Sequence, residues 1–224
     1  MMNKKYLFFF LILINAIQGQ NLLIQNGSFE GPPAPAVTPP GWTECMPNQS
    51  PDTQPGSWGV DIVPSEGNSY LGLVHNVPMN YAEGASQELI EPMEEGIEYN
   101  CSIDLAGHLA DESNAPVELI IWGGFGDCPQ NELLWSSGDV PDFVWTTYTV
   151  QFTPNANYSH ILLQINALTE ISTYILVDNF LCEEICPEPV AEAGENQNIT
   201  CEDFINLSAN IPTDSKQGGE MIGQ

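Results

Sequence analysis

One tryptophan and several amides and carboxylates recur at the polar positions of alternating, strand-like segments. Successive side chains of a strand point to opposite faces, so in segment 117–122 one face receives Val, Leu and Ile, and the other receives Glu118, Ile120 and Trp122. Segments 101–108, 146–152 and 160–166 divide in the same way. Sugar recognition uses an aromatic plate against the apolar face of the ring, with amides and carboxylates for its hydroxyl groups. The predicted ligand-binding face carries Trp122, Asp104, Glu118, Gln164 and Asn166.

Two further aromatic residues lie in predicted loops, and they are second candidates for contact with a ligand: Trp58 and Tyr81. The alternative is that aromatic side chains of a β protein pack in the core or at its edges. For Trp122, ligand contact and plain packing both stay open. Four aromatic residues are assigned to packing: Trp42, Tyr70, Trp145 and Tyr148.

No recognisable catalytic motif accompanies these residues. The sequence has no Gly-x-Ser-x-Gly, His-Glu-x-x-His or phosphate-binding loop. Its three histidines, His75, His108 and His160, have no Ser or Cys beside them in a familiar arrangement, and we expect them on the surface or in loops. Acidic residues are plentiful, but glycoside hydrolysis needs a tuned pair of them in a cleft. We therefore expect a protein that is not an enzyme.

Basic residues are almost absent from the chain. Its 224 residues include 30 Asp and Glu but only 3 Lys and Arg, which gives a formal net charge of −27. The three bases are Lys4, Lys5 and Lys216, so segment 20–187 holds 23 acidic residues and no Lys or Arg. This composition excludes nucleic-acid binding, polybasic docking on anionic membranes and arginine clamps for phosphate. The small partners that remain are metal cations and neutral molecules.

The first 19 residues predict a secretory signal peptide. A short basic segment is followed by an apolar run over 6–14 and by small or polar residues up to Gly19, where we expect cleavage. The alternative is an uncleaved anchor helix, but the apolar run has about half of the roughly 20 residues that span a bilayer. The protein is therefore expected to be secreted or held at the extracellular cell surface.

Six cysteines fit an oxidising compartment and predict disulfides. The spacing Cys182-x3-Cys186 leaves zinc as an alternative, although no second pair with metal-binding spacing follows it. Six cysteines allow fifteen pairings, and their spacing does not choose among them. The cysteines are Cys45, Cys101, Cys128, Cys182, Cys186 and Cys201.

The middle of the chain reads as an all-β domain over residues 20–186. Short apolar runs are broken throughout by 18 prolines and 19 glycines, which leaves little room for a long helix. About eight strands in this length predict an antiparallel jelly-roll β-sandwich. The predicted strands are 22–24, 69–74, 85–89, 99–106, 117–122, 146–152, 160–165 and 174–181.

A series of short motifs follows one order along this domain, over residues 21–182. Its members are Asn26-Gly27-Ser28-Phe29-Glu30, Gly41-Trp42, Gly67-Asn68-Ser69-Tyr70-Leu71-Gly72-Leu73, Gln87-Glu88-Leu89, Gly96-Ile97-Glu98-Tyr99, Trp145-x2-Tyr148 and Ile175-Leu176-Val177-Asp178-Asn179. In this order the series resembles the galactose-binding-like β-sandwich of carbohydrate-binding modules of families 4, 9, 16 and 22. In such modules a concave sheet face holds a glycan chain.

The composition changes after Cys186, and residues 187–224 are too poor in apolar side chains to bury a core of their own. Segment 189–201 is similar to the opening strand of a PKD-type or immunoglobulin-like repeat, which occurs beside such modules in secreted or surface proteins of gliding bacteria. The resemblance implies a truncated second domain. It also implies contacts with further domains downstream.

The same resemblance implies a structural calcium ion that ties the first strand to the last. Calcium takes six to eight oxygen ligands, mixing carboxylates with backbone carbonyls. The alternative is that the two acids involved are ordinary solvated or hydrogen-bonded carboxylates. The implied ligands are Glu30, Asp178, Gly67 and Asn68, with the carbonyl of Ser28 as a further one.

These observations predict a non-catalytic carbohydrate-binding module of an exported multidomain protein, with a polysaccharide or other glycan as its partner. A structural or adhesin module that joins proteins at the cell surface without binding sugar is the alternative. An acidic glycan is disfavoured, since no Lys or Arg offsets the repulsion between it and the domain.

Overall fold

The computed structural model describes residues 24–45, 50–109, 116–141, 143–168 and 170–184. The predictions for the signal peptide and for the second domain lie outside these residues. In the described part of the chain the regular elements are β-strands, and no helix there is long and apolar enough to cross a membrane. The strands are β1 Thr43–Glu44, β2 Asp52–Gln54, β3 Tyr70–Asn76, β4 Tyr81–Ala82, β5 Gly84–Glu88, β6 Tyr99–Leu109, β7 Val117–Gly124, β8 Glu132–Ser136, β9 Thr146–Phe152, β10 His160–Ala167 and β11 Thr173–Glu184.

Two antiparallel sheets form a sandwich. The five-stranded sheet has the order β1-β5-β10-β7-β8, and the six-stranded sheet has the order β2-β3-β11-β6-β9, with β4 added beside β3. The prediction of an all-β, antiparallel jelly-roll sandwich is confirmed. Of the predicted strand at 22–24 the structure describes only Ile24, which is buried and belongs to no strand.

The core lies between the two sheets, and the alternation of side chains along each strand decides which residues enter it. On β7, Val117, Leu119 and Ile121 are fully buried, whereas the residues between them are half-buried on the outer face. The four aromatic residues assigned to packing are confirmed in that role: Trp42 and Tyr70 are buried, Trp145 packs edge-on against Tyr70, and Tyr148 packs edge-on against Trp135.

Two disulfides join parts of the sandwich that are distant in sequence. Cys101 and Cys182 are directly opposite each other on β6 and β11, with Cα atoms 4.0 Å apart. Cys45, which follows β1, pairs with Cys128 in the connection between β7 and β8. The prediction of disulfides is confirmed for these four residues, and Cys182 is not available to the alternative zinc site.

The outer face of the six-stranded sheet is partly covered by the segment that connects β2 to β3. A second apolar cluster lies there, formed by Val60 with Tyr70, Ala106 and Leu176, and it is separate from the main core. Beside this cluster the residues of β2 and most of β3 are buried as well, and the end of β3 and β4 are half-buried.

Candidate functional site

The outer face of the five-stranded sheet brings together four of the five residues predicted to bind a ligand on a sheet face. We call Glu118, Ile120, Trp122, Gln164 and Asn166 the Trp122 face. In the pairing of β7 with β10, residue 166 is opposite 118 and residue 164 is opposite 120, so these side chains are neighbours. The sequence prediction that they share one face is therefore confirmed, and ligand binding by them stays a prediction.

The polar groups of the Trp122 face are already bonded to one another. Gln164 Oε1 accepts hydrogen bonds from Trp122 Nε1 at 3.1 Å and from Gln130 Nε2 at 3.0 Å. Both oxygens of Glu118 are also acceptors, one for Asn166 Nδ2 at 2.5 Å and the other for Ser136 Oγ at 2.6 Å. This network holds the side chains in fixed positions, but it uses the indole N–H and much of the acceptor capacity that a sugar would need.

The connection between β7 and β8 crosses one part of this face. Cys128 is held to Cys45 by the disulfide, and its backbone N–H donates to Ser86 Oγ, 3.3 Å away on β5. Ser86 is 1% exposed although its side chain belongs to the outer face. The open area around Trp122 is therefore smaller than the alternation of side chains predicts.

Asp104 does not belong to the Trp122 face, and this part of the prediction is wrong. It lies on β6 in the six-stranded sheet, where it is opposite Asp178, and it is buried. Its carboxylate accepts hydrogen bonds from Ser65 Oγ, Thr147 Oγ1 and Asn179 Nδ2. Alternation fixes the face of its own sheet on which a side chain lies, but it does not fix the sheet to which the strand belongs.

Trp58 and Tyr81, the two predicted loop candidates, both lie near the carboxyl group of Asp52 on the six-stranded sheet. We call Asp52, Trp58, Tyr81, Glu83 and Tyr174 the Trp58 face. The indole ring of Trp58 is 66% exposed, and its Nε1 donates to Asp52 Oδ1 at 3.1 Å. The backbone φ of Trp58 is +56°, a conformation that a bulky side chain seldom adopts. Tyr81 is half-buried on β4, not in a loop.

Two nearly buried carboxyl groups lie at the base of the Trp58 face. Asp52 is 3% exposed and Glu83 is 4% exposed. Burial is the main cause that raises the pKa of Glu83 to about 8, and the negative charge of Asp52 adds to it. Burial likewise raises the pKa of Asp52 and, together with both acids, raises the pKa of Tyr174 to about 12.

Aromatic side chains continue the Trp58 face across the sheet. Tyr174 on β11 is opposite His108 on β6, and their ring centroids are 6.2 Å apart. The ring of His108 is in turn 5.0 Å from that of Phe143, which is 50% exposed. All three histidines lie on strands, so the expectation of a loop position is wrong, and their side chains are half-buried, that is, partly at the surface.

Sequence reasoning missed Asp52, Glu83 and Tyr174. Tyr174 is the first residue of a predicted strand, and the apolar residues at 175 and 177 indicate that it points away from the core. The two acids carry no comparable signal, because isolated acidic residues are nearly always solvated.

The residues implied as calcium ligands lie in or next to one segment, 65–69. Glu30 Oε1 accepts hydrogen bonds from the backbone N–H groups of Asn68 at 2.7 Å and Ser69 at 3.2 Å. Asp178 accepts from the N–H of Glu66 at 2.9 Å and from that of Asn179 at 2.8 Å. A Cβ on Gly67 would meet Glu30 Oε1 at 2.0 Å, so only glycine allows this close approach.

The donor chemistry of this segment fits a calcium ion. Asp178 is fully buried, and this burial raises the pKa of its carboxyl to about 7. No Lys or Arg exists between residues 20 and 187 to neutralise that charge. In the described residues no three His, Cys, Asp or Glu side chains are grouped to hold a metal, so carbonyls such as those of Ser28 and Gly67 would have to complete the ligand set.

Comparison with known proteins finds similarity in solved structures only. No protein-family model and no curated protein matches the chain. It is similar to the CBM22-1 xylan-binding domain of Paenibacillus barcinonensis Xyn10C, with 17% identity, a TM-score of 0.48, and coverage of 73% of this chain and 94% of that one.

A similar structure is the N-terminal cellulose-binding domain of Cellulomonas fimi β-1,4-glucanase C, with 16% identity, a TM-score of 0.42, and coverage of 68% and 93% of the two chains. Another is the arabinose-bound MgGH51 α-L-arabinofuranosidase, with 14% identity, a TM-score of 0.47, and coverage of 71% of this chain and 26% of that one. At these identities the likeness assigns no ligand to the present chain.

Proposed function

We propose that the sandwich is a non-catalytic carbohydrate-binding module of an exported or cell-surface protein, and that it holds a glycan on the Trp58 face. The observation that supports this proposal is the exposed, fixed indole ring of Trp58. An aromatic ring that is 66% exposed leaves a large apolar area in water, which a pyranose ring could cover.

The surroundings of Trp58 support a recognition role over accidental exposure. Its hydrogen bond to Asp52 orients the ring before any ligand arrives, and its backbone conformation is of the kind found at functional sites. A ring that is already ordered loses little conformational entropy on binding. The neighbouring hydroxyl groups of Tyr81 and Tyr174, and the carboxyl groups below them, supply hydrogen-bonding groups for sugar hydroxyls.

The Trp122 face is the alternative surface for a glycan, and the ligand contacts predicted there belong to that alternative. It ranks below the Trp58 face for a structural reason. Its indole N–H and the acceptor atoms of Gln164 and Glu118 already serve internal hydrogen bonds, and the connection held by Cys128 covers part of it.

Trp58→Ala is expected to weaken glycan binding by about tenfold or more, because the stacking area is lost. Trp122→Ala, the matched control, is expected to leave binding within about twofold of the wild type. Binding of the full chain to a glycan array identifies a ligand, and affinity electrophoresis with that ligand compares the variants. If Trp122→Ala weakened binding more than Trp58→Ala, the glycan site would be assigned to the Trp122 face. A folded chain that binds no glycan would favour the structural or adhesin alternative.

A structural calcium ion at segment 65–69 is a further part of the proposal. Calcium is expected to raise the melting midpoint relative to EDTA by about 5–10 °C when it is present far above its Kd. Asp178→Asn should abolish the increase, whereas Glu91→Gln, a change at an exposed loop residue, should keep it. Glu30→Gln is the second variant if Asp178→Asn folds poorly. Equal midpoints of the wild type in calcium and in EDTA would contradict the calcium site.

A further inference from the structure

We infer that the Trp58 face selects a cationic glycan, a polymer of amino sugars with free, protonated amines, over neutral glycans. This inference rests on the proposed function, since it specifies the ligand of the same site. It is carried by two nearly buried carboxyl groups that have oxygen atoms left without donors, beneath an exposed tryptophan.

The first observation is the bonding of Glu83. Its Oε2 accepts the backbone N–H of Val74 at 2.9 Å, and none of the described residues donates to its Oε1. Among the described residues the one wholly buried side-chain N or O atom without a partner is His75 Nδ1, so Glu83 Oε1 is not wholly buried. A residue that is 4% exposed therefore keeps one carboxylate oxygen without a donor.

Asp52 shows the same asymmetry. Its Oδ1 accepts both the backbone N–H of Ala36 at 2.6 Å and the indole N–H of Trp58 at 3.1 Å. None of the described residues donates to its Oδ2. The two acids are thus neighbours in a poorly solvated place, and each keeps an oxygen that no described group neutralises.

A protonated amine matches this arrangement in both chemistry and charge. An ammonium group has three N–H donors and no acceptor, so it can bond to carboxylate oxygens without leaving an unsatisfied group. Hydrogen bonds between ionised partners are about twice as strong as neutral ones. A sugar hydroxyl makes only the weaker bond, and a sugar carboxylate would be repelled by the acids in their ionised form.

The aromatic side chains favour the same ligand. Trp58 is exposed beside Asp52, and Tyr81 and Tyr174 are close enough to both acids to be affected by their charges. The face of an aromatic ring attracts a cation, and indole does so best. Stacking on Trp58 would therefore place an amino sugar where its charge meets the rings and the two carboxylates together.

Calorimetry with the full chain tests the inference. The measurements are made at about pH 6, below the pKa of an ordinary amine, and in about 0.15 M salt. The probes are oligomers of glucosamine, of N-acetylglucosamine and of glucose, all of one length, and a lysine oligomer of equal charge. Glucosamine oligomers are expected to bind about tenfold more tightly than the other probes. Their binding should release protons, because the ammonium group favours the ionised form of Glu83 over the protonated one.

Glu83→Gln is the decisive variant, since the amide keeps the shape and cannot ionise when an amine binds. It should remove most of the preference for glucosamine and leave the binding of neutral oligomers within about twofold. Glu91→Gln removes one charge from an exposed loop and should change neither. Asp52→Asn replaces Glu83→Gln if that variant fails to fold.

Four results would overturn the inference. Equal affinity for glucosamine and neutral oligomers would overturn it while leaving the proposed function intact. An equal loss in Glu83→Gln and Glu91→Gln, or equal binding of the lysine oligomer, would show attraction by overall charge alone. Binding of none of the glycans would overturn both the inference and the proposed function.

Discussion

Replacing both Cys101 and Cys182 with alanine is expected to lower the free energy of unfolding by about 4 kcal/mol. The two residues are 81 positions apart, and the disulfide removes the entropy of that loop from the unfolded chain. The bond also joins β6 to β11, the two longest strands of the six-stranded sheet, at directly opposite positions. Domains of this size are stable by about 5–15 kcal/mol, so the loss is a large fraction of the total. Unfolding in urea, followed by tryptophan fluorescence, measures it.

The second disulfide is a matched control for this prediction. Cys45 and Cys128 are 83 positions apart, so loop entropy alone predicts nearly the same loss for both pairs. Cys101 and Cys182 are buried in the core, whereas Cys45 and Cys128 are half-exposed. The Cys101 and Cys182 variant should therefore lose more, because its packing is removed as well. A loss below about 1 kcal/mol would show that this disulfide does not constrain the unfolded state.

The strands that the sequence predicted are the long ones with regular alternation. Segment 146–152 coincides with β9, and segments 99–106 and 117–122 lie within β6 and β7. The strands β1 and β4 have two residues each, which is too few for a period of two to be visible. β8 has the sequence Glu-Leu-Leu-Trp-Ser, whose three consecutive apolar residues do not alternate.

The candidate site was predicted only in part because alternation is a local property. It placed Glu118, Trp122, Gln164 and Asn166 correctly on one face, since β7 and β10 are neighbours. It could not show that β6, the strand of Asp104, belongs to the other sheet, because sheet order follows from contacts between segments far apart in sequence.

The Trp58 face depends even more on tertiary structure. Trp58, Tyr81 and Tyr174 are spread over more than half the length of the domain. The acids near them, Asp52 and Glu83, are buried, although charged groups usually lie at the surface. Their proximity results from the pairing of β3 with β2, β4 and β11. The acidic composition left metal cations and neutral molecules as partners, and only the fold brings the two acids close to the exposed ring of Trp58.

Glu83 is expected to make the protein less stable as the pH rises. Its pKa is about 8 in the folded protein and about 4.5 in the unfolded chain, so the folded state binds its proton more tightly. The stabilisation is fully present below about pH 4.5 and is lost as the pH rises to about 8. Each pH unit changes the free energy by up to about 1.4 kcal/mol for one group. Over this range the loss from Glu83 is on the order of a few kcal/mol.

Glu83→Gln separates this contribution from those of its neighbours, because the amide cannot ionise. The titrating groups that face Glu83 are Asp52 on β2, Tyr81 on β4 and Tyr174 on β11, and the tyrosines stay protonated in this range since their pKa values are raised. Free energies of unfolding in calcium-free urea at about pH 5, 7 and 9 should fall steeply for the wild type and for Glu91→Gln, and much less for Glu83→Gln. The pKa of Asp178 is also raised, to about 7, so some decrease of stability with pH should remain in Glu83→Gln. Calcium should reduce this remaining decrease. A wild type whose stability rises with pH, or a variant with an unchanged slope, would show that Glu83 ionises in the fold as freely as it does in water.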